Sequence, residues 1–330
     1  MSDPTGAAPA VPHCYRHPDR ETWISCQRCG RPICPDCMHS ASVGFQCPNC
    51  IAEGRRTVRS PRTMGGGLVP SRAGYVSWTL IGLNVVAYFA VLFTPSDVPN
   101  GWSEIEARGV LIAQGGQFAG VGYLDGVADG AYWRLLTAAF LHASILHLLF
   151  NMYALALFGP MLEQALGYVR FIALYFTTAI ASSVTVYWLS PVDQSTLGAS
   201  GAIFGLFGAS FAVLRKRGQD VTPLVMLLGL NLVITFTIPN ISWQGHVGGL
   251  VCGLVVGWIL AYAPHRHRTL IHGVAFAVVW VALIGLIIAR TNDLQGDQAV
   301  SGTGAIHSVD ISCGESHQCD SAVTPTSWRR

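Results

Sequence analysis

Between Tyr75 and Ala289 the chain carries seven apolar blocks, at roughly 75–94, 144–160, 168–190, 198–214, 221–238, 243–262 and 269–289. A helix needs about 20 apolar residues to cross the hydrocarbon core of a bilayer. Lipid offers no partners to backbone N–H and C=O groups, so segments of this kind fold as helices that satisfy their own. Composition agrees: 12% of the 330 residues are charged and 51% are hydrophobic, whereas a soluble domain is about 25% charged. The expected class is an all-α polytopic membrane protein.

The flanks differ from this core. Residues 1–12 read as a flexible leader, 13–51 as a Cys/His-rich module and 52–74 as a basic linker with Arg55, Arg56, Arg59, Arg62 and Arg72. Six blocks then form a core over 75–262, and 263–290 supplies a seventh transmembrane helix. Residues 291–330 are polar and aperiodic and are expected to be a disordered tail. Residues 1–70 hold no apolar stretch of the signal-peptide kind, so block one is expected to be a retained anchor. The stretch Thr94 to Ala143 mixes Trp102, Phe118, Tyr123 and Trp133 with glycines and acids. It is too long for a tight turn and reads as a structured loop seated partly in the membrane surface.

Lys and Arg in short loops mark the cytoplasmic side. They occur before block one, at Arg215, Lys216 and Arg217 after block four, and at Arg266 and Arg268 after block six. Even numbers of crossings separate these places, so all can share one side, and the loop at Arg170 agrees. The N-terminus is then cytoplasmic and the C-terminus outside. These charges favour a plasma membrane, with a bacterial one expected.

Polar groups are costly within membrane helices and usually have a reason. Here they are His147 and Asn151 in block two, Gly198-Ala199-Ser200-Gly201 in block four, and His246 in block six. In the seven-helix topology each lies near the outer start of an even-numbered helix, so all sit at similar depth. A serine hydroxyl becomes an effective nucleophile when an adjacent base takes its proton, and histidine is the usual base. Gly201, Gly205 and Gly208 line block four, and Gly245, Gly249 and Gly253 recur every four residues in block six. Small residues at this spacing let helix backbones approach closely. His147 and Asn151, four apart, share a helix face. Taken singly, such a serine is usually packing and such a histidine structural; the ordered set carries the argument. His142 and Cys252 are read as structural.

That set resembles the rhomboid intramembrane serine proteases. The matching pieces are Trp133-Arg134, His142-x4-His147-x3-Asn151, Gly198-Ala199-Ser200-Gly201 and Gly245-His246 followed by Gly249 and Gly253. They run in order over about 75–262. The resemblance implies a six-helix rhomboid core, a Ser200–His246 catalytic dyad without a third acid, and an oxyanion site of His147, Asn151 and the Ser200 N–H. It also implies structural roles for Trp133-Arg134 in the first loop, for Gly249 in packing and for Glu163 in a cytoplasmic-side network. It implies transmembrane protein substrates, cut near the outer face at small residues, and no metal in the chemistry. One departure stands out: Phe204 occupies the place where such proteins often carry a tyrosine that stacks on the histidine. Asp125, Asp129 and Asp193 lie in outer loops and are not excluded as partners of His246.

The N-terminal module offers four pairs with two-residue gaps: Cys14/His17, Cys26/Cys29, Cys34/Cys37 and Cys47/Cys50. Eight ligands suffice for two tetrahedral zinc ions. About forty residues make little core, so metal would supply the folding energy. The spacing resembles B-box-like cross-braced fingers, in which the first and third pairs share one ion and the second and fourth the other; sequential pairing is the competitor. His13 and His39 are spare candidates. In the cytoplasm a disulfide framework is disfavoured. A regulatory protein partner is expected for this module, and nucleic acid is not, since no basic patch or base-stacking pattern is present. Cys313 and Cys319 could form a disulfide outside.

The competing function classes are a non-catalytic rhomboid-like escort of membrane proteins, a transporter, and a zinc module with a membrane anchor. Escorts typically lack the serine or the histidine. A transporter would favour midplane charges and internal repeats. Seven helices with clustered polar residues exceed what an anchor needs.

Overall fold

The computed structural model describes residues 10–57, 62–95, 102–118, 122–238 and 241–303, with side chains to 297. The chain divides into two compact units, Met1–Arg62 and Thr63–Arg330.

The first unit holds a two-stranded antiparallel sheet of β1 (His39–Ser40) and β2 (Phe45–Gln46), then helix α1 (Pro48–Thr57). Its core consists of Cys14, Cys26, Ile33, Cys34, Cys37, Cys47 and Cys50. Among its described residues Ile33 is the one buried apolar residue of another type, so hydrophobic burial alone stabilises this unit little. Helix α1 runs through residues that the sequence placed in the linker. It continues because Cys50 in its first turn faces the cysteine cluster and anchors it.

The second unit is helical. Helix α2 (Tyr75–Phe93) leads to a long loop holding α3 (Glu104–Gly109), a hairpin of β3 (Gly116–Phe118) and β4 (Gly122–Leu124), and α4 (Arg134–Thr137). Helices α5 (Ile145–Leu166), α6 (Tyr168–Leu189), α7 (Ser200–Lys216), α8 (Thr222–Thr237), α9 (Trp243–Tyr262) and α10 (Arg268–Thr303) follow. All seven apolar blocks are thus helices. Among the described residues five are long and apolar enough to span a membrane: α2, α5, α6, α9 and α10. Helices α7 and α8 have 17 and 16 residues. Large apolar side chains such as Val86, Phe150, Met226 and Val281 face outward, as expected where the solvent is lipid.

Helices α7 and α9 pack at backbone contact. A Cβ added to Gly249 would stand 1.9 Å from the Gly201 carbonyl oxygen, and one on Gly253 would stand 1.9 Å from that of Gly205. Gly208 in turn faces the Leu250 carbonyl, where a Cβ would lie at 2.6 Å. No larger residue fits these places while the two axes keep their separation.

Glu163, fully buried in α5, accepts from the Val76 and Ser77 N–H groups and the Ser77 hydroxyl at 3.3, 3.0 and 3.0 Å. These are among the first N–H groups of α2, which have no partner within their own helix. The carboxylate supplies that partner and complements the helix dipole. In the first loop Trp133 Nε1 donates to the Arg108 carbonyl, and buried Arg134 donates to those of Ala107 and Val110.

Besides the end of α1, three segments depart from the sequence reading. Helix α5 continues through Pro160 to Leu166 and stops at Gly167, whose φ is +85°. One lost N–H does not end a helix so well packed. Part of the segment read as a basic linker is tied to α5: Gly65 N–H donates to the Ala165 carbonyl, and Thr63 N–H to that of Gly67. Helix α10 runs on to Thr303 where a disordered tail was expected after Arg290. Buried Leu294 joins a core cluster, the Tyr187 and Thr291 hydroxyls pair at 3.0 Å, and Gln295 donates to the Ala128 carbonyl at 2.7 Å. Cys313 and Cys319 lie outside the described residues.

Candidate active site and metal centres

Ser200 opens α7, and His246 lies in the first turn of α9. The glycine contacts draw these helices together, and His246 Nε2 stands 2.7 Å from Ser200 Oγ. The segment before the serine is tied to the first loop. Leu111 and Thr196 exchange both backbone hydrogen bonds at 2.9 Å, and Gly198 N–H donates to the Ala138 carbonyl at 2.8 Å. Ser200 is half-buried and His246 buried.

Phe204, one turn after the serine, lies flat on the imidazole: the ring centroids are 4.2 Å apart and the planes differ by 9°. On the other side His246 Nδ1 stands 2.7 Å from the hydroxyl of buried Thr235 in α8. Sequence reading missed Thr235. A single threonine in an apolar helix gives no motif, and only the packing of α8 against α9 brings it to the ring.

The ring of His147 packs over Gly198, whose φ is +132° and whose added Cβ would meet it at 2.7 Å and Ser200 Oγ at 3.6 Å. His147 therefore flanks the serine. Asn151 lies one turn further along α5, and its amide donates to the His147 carbonyl at 2.9 Å. One amide hydrogen is spent there. His142 packs edge-on to His147 at 5.1 Å. Burial, and then the neighbouring His147, hold its pKa down at about 4. The Asp129 carboxylate accepts from the Gly115 and Gly126 N–H groups and so braces the loop.

The first unit brings the eight ligand candidates into two groups: Cys14, His17, Cys34 and Cys37, and Cys26, Cys29, Cys47 and Cys50. This is the crossed pairing, first with third and second with fourth. His13 and His39 are exposed and belong to neither group. Within each group the donor atoms all lie within 4.8 Å of one another. His17 Nδ1 is 3.3, 3.5 and 3.8 Å from the sulfurs of Cys34, Cys37 and Cys14, and the Cys29 and Cys47 sulfurs are 3.7 Å apart. A tetrahedral zinc ion with ordinary bond lengths sets N···S and S···S edges of about 3.5 and 3.8 Å. The Cys29–Cys47 separation is far longer than a disulfide of about 2.05 Å, and the described cysteines are free thiols. The Cys47 N–H donates to Cys26 Sγ and the Cys50 N–H to Cys47 Sγ, at 3.2 and 3.4 Å. Burial, and then the thiols beside them, push Cys37 up to about 11 and Cys50 up to about 12. Four such donors cannot all ionise side by side unless a cation sits among them. Both groups fit a metal ion.

With this geometry in hand, known proteins give the family. The rhomboid domain profile matches residues 129–263. Bacillus subtilis (strain 168) YdcA, named among the rhomboid proteases, is 39% identical over 151 residues, which cover 44% of this chain and 76% of YdcA. The chain belongs to the rhomboid family. RHOMBOID-like protein 5 of Arabidopsis thaliana is 33% identical over 42% of this chain and 47% of its own length. Rhomboid protease GluP of Bacillus subtilis (strain 168) is 38% identical over 38% of this chain and 26% of its own. With the family and five apolar helices of spanning length, this is a multi-pass membrane protein.

Proposed function

We propose that this chain is an intramembrane serine endopeptidase that cuts transmembrane segments of other membrane proteins near the outer face, through Ser200 and His246. The observation that carries this reading is the 2.7 Å contact between His246 Nε2 and Ser200 Oγ across two helices held at backbone contact.

Nε2 takes the hydroxyl proton as Oγ attacks the scissile carbonyl. The imidazolium then gives that proton to the leaving amine, and the free imidazole activates water against the acyl-enzyme. The Ser200 N–H, in the first turn of α7, faces the developing oxyanion with His147 and the second amide hydrogen of Asn151. One such donor lowers the barrier by about 3 kcal/mol. A small cavity near the serine is lined by Ala138, Ala179, Ser182 and Ala202 together with the larger Leu111, Val186 and Leu197.

Depth follows from length. The 17 residues of α7 rise about 25 Å, less than the roughly 30 Å hydrocarbon core. Arg215, Lys216 and Arg217 at its end favour the cytoplasmic interface, which leaves Ser200 below the outer surface. The N-terminus is cytoplasmic and the C-terminus outside, in a plasma membrane expected to be bacterial. The two Cys/His groups hold zinc as a structural ion, which orders a module of little hydrophobic core and takes no part in peptide cleavage. The domain limits read from the sequence, with the module extended to Thr57, suit a cytoplasmic regulatory head that meets a protein partner.

Cleavage of a model transmembrane substrate in liposomes tests this, with wild type, S200A and H246A compared at equal folded amounts. Cleavage by wild type and its loss in both variants is expected. Wild-type cleavage by S200A sinks the assignment. A folded wild type that binds several such substrates and cuts none points instead to an escort.

A further inference from the structure

Helix α8 is little embedded: of its 16 residues only Leu224 and Thr235 are buried. A buried hydroxyl on such a helix needs an account. Thr235 Oγ1 stands 2.7 Å from the Asn231 carbonyl oxygen and 2.7 Å from His246 Nδ1. Two oxygens at that distance attract only with a proton between them. The carbonyl has none to give, so the Thr235 hydroxyl donates to Asn231. Its single proton is then spent, and the contact with Nδ1 requires a proton on the ring. Nδ1 therefore carries the hydrogen and Nε2, facing Ser200, is bare.

We infer that Thr235 is the positioning residue of the base: its hydroxyl oxygen accepts the Nδ1–H of His246, fixing the tautomer that can deprotonate Ser200. This rests on the Ser200–His246 reading. The same oxygen steadies the imidazolium that forms when Nε2 takes the proton, since Nδ1–H then donates more strongly. Phe204 constrains the plane of the ring and Thr235 its rotation within that plane. The work that a carboxylate does in other serine hydrolases falls here to a hydroxyl whose proton is directed to a backbone carbonyl.

The test compares wild type, T235S and T235V in liposomes, measuring kcat and KM on a transmembrane substrate and the rate at which a fluorophosphonate labels Ser200. T235V should lose about tenfold or more in both kcat and labelling rate, the order of one hydrogen bond of about 1.4 kcal/mol, with KM changed less than twofold. T235S, which keeps the hydroxyl, should stay within about threefold of wild type. A folded T235V with wild-type kcat overturns the inference, as does a T235S as impaired as T235V. Should T235V fail to fold, 15N NMR of histidine-labelled wild type decides: the Nδ1–H tautomer of His246 supports the inference and the Nε2–H tautomer overturns it. S200A and H246A run alongside. If they cleave like wild type the dyad fails, whatever Thr235 does; if they are dead and T235V is unimpaired, the role of Thr235 alone fails.

Discussion

Phe204 and His246 lie face to face, 4.2 Å between centroids and 9° from parallel. The ring stacks without any hydroxyl, so the tyrosine expected from the family resemblance is not needed for this contact. A stacked pair of this kind contributes about 0.5–1.5 kcal/mol beyond its burial. F204L keeps the volume and removes the stack; kcat is expected to fall about tenfold, while F204Y holds wild-type activity. Cleavage assays on purified variants check this, and an F204L as active as wild type would show that the stack does not hold the ring.

Gly249 and Gly273 make opposite demands. A Cβ at Gly249 would lie 1.9 Å from the Gly201 carbonyl oxygen, whereas one at Gly273 meets nothing within 4 Å. G249A should part α7 from α9, costing about 3 kcal/mol or more and most of the activity. G273A should be neutral or slightly stabilising, since alanine suits a helix better by about 1 kcal/mol. Thermal unfolding in detergent distinguishes the two, and an intact G249A would refute the packing described.

His142 gives a pH prediction. Its folded pKa of about 4 lies below the ordinary value of 6.5, so between these values the unfolded chain binds more protons. Stability should be full above about pH 6.5 and decline as pH falls toward 4, by about 3 kcal/mol at most from this group. H142Q should show a shallower decline over the window. Parallel melting profiles for wild type and H142Q would count against the burial argument.

Metal content separates the two units. The full chain should carry two zinc ions, and chelation or acidification should release them, because protons compete for thiolate and imidazole. C14S and C26S should each lose about one ion and expose residues 13–57 to protease. Cleavage by Ser200 should survive chelation, measured as turnover on a pre-incorporated substrate. One ion per chain, or a cleavage step restored only by added metal, would contradict this.

The parts legible in the sequence share one trait: their signal is local or periodic. Apolar runs marked α2 and α5 to α10, and two-residue gaps marked the ligand pairs. The glycines at four-residue spacing pointed to the α7–α9 contact that sets Ser200 beside His246. What stayed hidden depends on neighbours far along the chain. Thr235 meets the ring of His246 only because α8 and α9 pack together. The end of α10 looks polar because Thr291, Leu294 and Gln295 reach Tyr187 and the first loop one side chain at a time, too sparsely for a periodic stripe. The block read as 144–160 runs on to Leu166, because the packing of Leu162, Ala165 and Leu166 outweighs the hydrogen bond missing at Pro160.

The chain of contacts from Ser200 through His246 and Thr235 ends on the carbonyl of Asn231, and no carboxylate takes part in it. With a neutral imidazole, every link is uncharged at rest. An ionised group at this depth would need a partner or a water shell to be stable. On the proposed mechanism a relay of neutral dipoles would need neither, and charge would separate only during the brief life of the imidazolium.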